Sequence, residues 1–204
     1  MANHSVELEH IDRDTGKLGM WIFLFTEMFL FGGLFLVYAV FRSTNSEGFH
    51  KAADDLNTFI GTMNTVFLLV SSMTVAMAIT AIQKKDNVLA FRLVILTLLL
   101  ASLFMVDKYI EWTHEFEYGI YPGSEVLKNL PHGELLFFGL YFIMTGLHAL
   151  HVFIGMILLT ICLIKIRNGS IHHEYFLLFE NSGLYWHLVD LIWIFLFPLL
   201  YLVT

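Results

Sequence analysis

Residues Leu18–Phe41 read LGMWIFLFTEMFLFGGLFLVYAVF. Those 24 residues hold one acidic or basic side chain, Glu27, and no proline. A helix needs about 20 predominantly apolar residues to cross a bilayer. Four more runs of the same kind follow: Phe59–Ile82, Leu89–Ile110, Glu134–Ile164 and Phe176–Val203. Lipid leaves no partner for exposed backbone groups, so only helices or closed barrels span it. Apolar runs this long, with no in–out alternation, predict helices rather than barrel strands. The fold class expected is all-α, a polytopic membrane protein with five transmembrane helices in one bundle. Residues 1–17 form a polar N-terminal segment and residues 18–204 the transmembrane domain.

Composition agrees. Of 204 residues, 57% are hydrophobic and 14% charged, and the mean hydropathy is +0.71. A soluble domain carries about 25% charged residues. A disordered chain, a disulfide scaffold and an ordinary cytosolic enzyme are excluded. The net charge of −7 does not suit nucleic acid. The single cysteine, Cys162, lies in an apolar run, so no intrachain disulfide forms and a cysteine metal site is implausible. The first 17 residues carry Glu7, Glu9, Asp12 and Asp14 against Arg13 and Lys17, unlike a secretory signal, so the first span is expected to be retained.

The connectors are expected to be Arg42–Thr58, Gln83–Val88, Glu111–Gly133 and Lys165–Tyr175. Lysine and arginine set the orientation. Arg13, Lys17, Lys84, Lys85, Arg92, Lys165 and Arg167 fall on one side, and Arg42, Lys51, Lys108 and Lys128 on the other. Seven against four predicts the N-terminus inside and the C-terminus outside.

Ionisable groups inside the spans each need a reason, because an Asp at a helix centre costs about 2.5–3.5 kcal/mol on insertion scales. Glu27 sits nine residues into the first span, roughly 13 Å deep. It is either bonded to a neighbouring helix, or a proton-handling or lipid-facing reactive carboxyl. Glu180, His187 and Asp190 share one face of the last span, and His187 and Asp190 are close enough along the helix to pair. They read as an ion-pair cluster that orients the helix, with a proton path or metal site as the alternative. His148 and His151 share a face at i,i+3, and packing histidines are the preferred reading over metal or haem ligands. Gly146, Ala149 and Gly155 open that helix to close approach, as do Gly61, Asn64, Thr65, Ser71, Ser72, Ala76 and Thr80 on the second. Two Glu-x-x-His strings, Glu111–His114 and Glu47–His50, superficially match the di-iron carboxylate pattern. The first falls at an expected helix end and the second in a polar connector with Gly48, so both read as chance matches. His172–His173 is equally weak.

Taken in register, the segments resemble subunit III of the haem-copper terminal oxidases, the cytochrome c oxidase and quinol oxidase family. The resemblance rests on Gly19-Met-Trp-Ile-Phe-Leu-Phe-Thr-Glu27-Met-Phe-Leu-Phe, on Asn64-Thr-Val-Phe-Leu-Leu-Val-Ser-Ser72, and on Lys108-Tyr-Ile-Glu111-Trp, where the family usually has Gln in place of Lys108. It rests further on Thr145-Gly-Leu-His148-Ala-Leu-His151-Val-Phe-Ile-Gly155 and, above all, on Tyr185-Trp186-His187-Leu-Val-Asp190-Leu-Ile-Trp193.

The resemblance implies a non-catalytic subunit with no metal and no cofactor of its own, haems and copper residing on partner subunits. It implies direct packing on oxidase subunit I within a complex that includes subunit II, with bound phospholipid and no nucleic acid. Its implied role is to support proton uptake by the catalytic subunit while O2 is reduced to water. Glu27 matches the glutamate that carbodiimides label in mitochondrial relatives. Glu111, His148, His151, Glu180, His187 and Asp190 are the expected internal polar lattice, with Trp186 and Trp193 as its aromatic motif. Mitochondrial members have seven helices. The five here are expected of the short bacterial form, in an inner (plasma) membrane. The competing readings are a subunit III-like accessory of a nitric oxide reductase, a stand-alone proton-coupled transporter and, least of all, a membrane di-iron oxidase.

Overall fold

The computed structural model describes residues 2–202, with side chains described from Thr15 onward. The acidic side chains of the N-terminal segment, Arg13 and the expected helix end at Val203 lie outside the described residues. Seven helices follow in order: α1 Ala2–Thr44, α2 Ser46–Asp54, α3 Thr58–Gln83, α4 Asn87–Glu117, α5 Glu125–Asn129, α6 His132–Arg167 and α7 Leu177–Tyr201. Five are long and apolar enough to cross a membrane, in α1 the part from Thr15 to Thr44.

Heptad spacing explains how they pack. On α3, Gly61, Asn64, Leu68, Ser71, Val75, Ala78 and Ile82 are buried, alternating steps of three and four. On α4 the buried set is Ala90, Val94, Thr97, Ala101, Phe104, Lys108, Glu111 and Glu115, with the same alternation. Such a seam faces a neighbouring helix along its whole length, and α3 and α4 form the tightest pair in the bundle. Thr74 and Thr97 share a hydrogen bond of 2.7 Å across it. α7 is the most enclosed span and α1 the least; α1 rests on α6 and α7 through Leu24, Phe31 and Tyr38.

The turns obey capping chemistry. α4, α6 and α3 all end in Schellman geometry. Ile120 N–H donates to Glu115 O and Gly119 N–H to Phe116 O; Ser170 does so to Lys165 and Gly169 to Ile166. Gly119 and Gly169 supply the positive φ this requires, at 76° and 73°. At the end of α3 that place is taken by Lys85, at φ 66°. Asp86 follows directly and caps α4, its side chain accepting from Leu89 N at 2.9 Å.

The structure corrects three boundaries. α4 runs to Glu117 rather than stopping at Ile110, so Glu111 lies inside a helix. The connector after α1 contains α2, whose Phe49, Ala52 and Ala53 are buried against α1 and α6. The connector after α4 contains α5, capped by Ser124. Gly48, expected to lie in a polar connector, is a packing residue of α2. A Cβ there would lie 2.7 Å from Gly133 Cα, so both glycines let the two backbones touch.

Candidate functional site

The heptad seam of α4 buries a lysine and a carboxylate one turn apart. Lys108 Nζ donates to Glu111 Oε1 at 2.8 Å and to the Tyr201 hydroxyl. Tyr141 and Tyr201 in turn donate their hydroxyls to Glu111 Oε1. The ammonium lies 5.0–5.4 Å from the ring centres of Trp193, Tyr201 and Tyr141. Removing an ion pair from water costs several kcal/mol per ion. Here four hydrogen bonds and the negative faces of three rings offset that cost. Glu115, one further turn along, is buried on the same seam.

The second station joins α1 to α6. Glu27 occupies the inner stripe of α1, between Leu24 and Phe31, and Oε2 lies 3.0 Å from His151 Nε2. His151 Nδ1 lies 2.7 Å from Leu147 O. A carbonyl only accepts, so Nδ1 carries a hydrogen. The Nε2–Oε2 contact therefore holds one proton, sited either on the carboxyl or on the imidazole. Tyr185 adds a hydrogen bond to His151 O at 3.2 Å, and Phe31 packs edge-on against the ring. The structure turns Glu27 toward α6, not toward lipid.

The three polar residues of α7 separate. Glu180 pairs with Lys17 of α1 at 3.2 Å. His187 Nδ1 shares a hydrogen bond of 2.6 Å with Ser72 of α3. Asp190 lies beside the same Ser72 without closing a well-formed hydrogen bond, and the direct His187–Asp190 pairing allowed by spacing does not form. Helical proximity places two side chains on one face; which neighbour each one meets depends on the helix opposite. Trp186 Nε1 donates to Ser71 Oγ and Trp193 Nε1 to Thr65 Oγ1, each at 3.0 Å, tying the aromatic motif to the small polar face of α3. Trp186 also packs where a Cβ on Gly155 would come within 2.7 Å.

His148 is fully buried between Phe104 and Trp193, and neither ring nitrogen meets a partner among the described residues. The expected lattice is thus several stations: Lys108–Glu111, Glu27–His151, His187–Ser72 and Lys17–Glu180, with His148 and Asp190 between them unpaired. His114 packs edge-on against Tyr118 and His50 lies 3.9 Å from Asp54, so neither Glu-x-x-His string converges. Among the described residues no three His, Cys, Asp or Glu side chains cluster as a metal would require.

Reading by residue type missed Tyr141, Tyr201, Glu115 and the central part of Lys108. The three-four spacing from Ala90 to Glu115 is the signal that would have found the α4 members. The Lys51–Glu134 bridge, 2.7 Å between α2 and α6, was missed as well. Its hydrogen bond and charge push the Lys51 ammonium above its ordinary value.

Comparison with known proteins adds a second line. Residues 9–204 match the family model described as cytochrome c oxidase subunit III. The chain is 32% identical to a cytochrome c oxidase subunit 3 of Thermostichus vulcanus, over 98% of this chain and 93% of the relative. It is 31% identical to a probable quinol oxidase subunit 3 of Staphylococcus epidermidis, over 93% of this chain and 90% of the relative. A haem-copper oxidase subunit I+III of Aeropyrum pernix is 29% identical over 94% of this chain, which covers 23% of that longer protein.

Proposed function

The chain belongs to the cytochrome c oxidase subunit III family, and from that premise we propose that it performs no redox chemistry itself and acts through the subunit beside it. It is subunit III of a haem-copper oxidase, of cytochrome c or quinol type, and a multi-pass membrane component of that oxidoreductase complex. Haems and copper then reside on partners. Subunit I is its direct neighbour, a placement supported by the relative whose name joins I and III. Subunit II completes the assembly, and phospholipid fills the lipid-facing grooves.

The observation that carries the reading is how the buried polar side chains are used. Lys108, Glu111, Tyr141 and Tyr201 bond one another, as do Glu27 and His151, and the Trp186 and Trp193 indoles bond α3 hydroxyls. Groups committed in this way hold helices in place. The proposed role is to brace the catalytic subunit and support its proton uptake during O2 reduction. Lys84 and Lys85 between α3 and α4, with Lys165 and Arg167 in the last turn of α6, support an N-terminus inside. The near end-to-end match to Thermostichus and Staphylococcus relatives supports a bacterial plasma membrane.

The test is purification of the complex with and without this chain. Without it, the reduced-minus-oxidised haem spectrum should persist, while O2 consumption decays faster over sustained turnover. Stoichiometric haem or iron on the isolated chain, or loss of haem from the partner when the chain is removed, would overturn the proposal.

A further inference from the structure

Asn64 on α3 and His148 on α6 are fully enclosed and have no hydrogen-bond partner among the described residues, and Asp190 on α7 is buried beside the Ser72 hydroxyl without closing a well-formed hydrogen bond. They gather around one side chain. Trp193 packs 5.2 Å from the His148 ring, bonds Thr65, the neighbour of Asn64, and lies one turn beyond Asp190. Buried amide, imidazole and carboxyl groups are almost always hydrogen-bonded. Where protein supplies no partner, ordered water making two to four hydrogen bonds does so. Helices α3, α6 and α7 bring three such groups to one level of the bundle.

This level separates the two paired stations. Phe104 of α4 touches the His148 ring; Lys108 lies one turn past Phe104 along α4, and His151 lies one turn past His148 along α6. Beyond Lys108 stand Glu111 and then Glu115, successive buried positions on the α4 seam. Beyond His151 stands Glu27.

We propose that internal water binds at Asn64, His148 and Asp190 and completes a proton-exchange track from the α2 end of the bundle, through Glu115 and Glu111, to the Glu27–His151 pair. Each water accepts one proton and releases another, so the only net change is one proton gained or lost by the pair. The gain leaves a carboxylic acid beside an imidazolium; the loss leaves a carboxylate beside a neutral imidazole. Of the other titratable groups, Tyr141 on α6 and Tyr201 on α7 bond Glu111, Tyr185 on α7 bonds the His151 carbonyl, His187 on α7 is held by Ser72, and half-exposed Asp107 precedes Lys108 on α4. The track lies within this chain and goes beyond the bracing role proposed above, which stands or falls separately.

The experiment uses the whole oxidase in liposomes. Infrared difference spectra follow the Glu27 carboxyl after a pH step applied to one side, the band assigned by its loss in Glu27→Gln. A cysteine at exposed Lys128, labelled with an impermeant maleimide, reports which side carries α5 and α2. The Glu27 band should follow the pH of that side, and His148→Leu should slow it at least tenfold at unchanged haem content. Glu115→Gln, near the mouth, should slow it too and serves if His148→Leu fails to assemble. A band that follows the opposite side, or unchanged rates in the assembled variants, would overturn the track.

Discussion

Replacing Lys108 isolates the physics of the buried cluster. Its side chain is 4% exposed and that of Glu111 5%. Lys108→Met removes the cation but leaves Glu111 buried, with the Tyr141 and Tyr201 hydroxyls as its remaining donors. Breaking a buried pair from one side costs about 3–5 kcal/mol. Lys108→Gln keeps an N–H donor toward Glu111 without the charge, so its cost should fall to about 1–3 kcal/mol, the range for a buried group left partly satisfied. Adding Glu111→Leu to Lys108→Met removes the orphaned carboxylate and replaces the pair with apolar volume, which is often neutral. The expected stability order is wild type, then the double variant and Lys108→Gln, then Lys108→Met. For a chain of this length 1 kcal/mol moves the melting midpoint by about 2–4 °C, so Lys108→Met should melt about 10 °C early. Heating the purified complex while following tryptophan emission measures this, since Trp193 covers the ammonium. A double variant as unstable as Lys108→Met, or Lys108→Met no worse than Lys108→Gln, would refute the reasoning.

Lys85→Gly should raise the same melting midpoint by up to about 1 kcal/mol in stability, because Lys85 holds a positive φ that glycine adopts freely. Gly48→Ala places a methyl 2.7 Å from Gly133 Cα, where backbone cannot yield, and should cost about 1–3 kcal/mol; proteolysis of the α1–α3 segment reports it, with Gly139→Ala, whose added methyl meets nothing within 4 Å, as the control. The Lys51 ammonium is favoured by Glu134, so Lys51 should react more slowly than Lys128 with an amine reagent at pH 9, and Glu134→Gln should remove the difference. By the same sign, the bridge is intact below the ordinary lysine value and is lost only as pH climbs through the raised one, so mildly alkaline buffer should not release α2 from α6.

Five spanning helices were legible from residue order alone, because the transfer of about 20 side chains into lipid depends on their sum and not on their partners. The small polar face of α3 was legible too; the seam of α4 has the same three-four spacing, which defines a face whatever lies opposite, but it was not read. Nor were the last two turns of α4 legible. Glu111, Glu115 and Glu117 end the apolar run, yet backbone hydrogen bonds continue through charged residues when the seam buries two of them. α2 escaped for the converse reason: three buried apolar residues in nine are too few for a hydropathy signal and enough for a docking face.

Partnership belonged to the tertiary structure. Nothing in the spacing of α7 distinguishes an Asp190 partner for His187 from the Ser72 it takes. Glu27 and His151 lie 124 residues apart in the chain, and only the crossing of α1 on α6 sets them 3.0 Å from each other. Local sequence determines which face of a helix is polar, through the fixed geometry of the backbone. Which group satisfies that face is decided by packing, where shape, small residues and the cost of an unpaired buried atom select one neighbour among several.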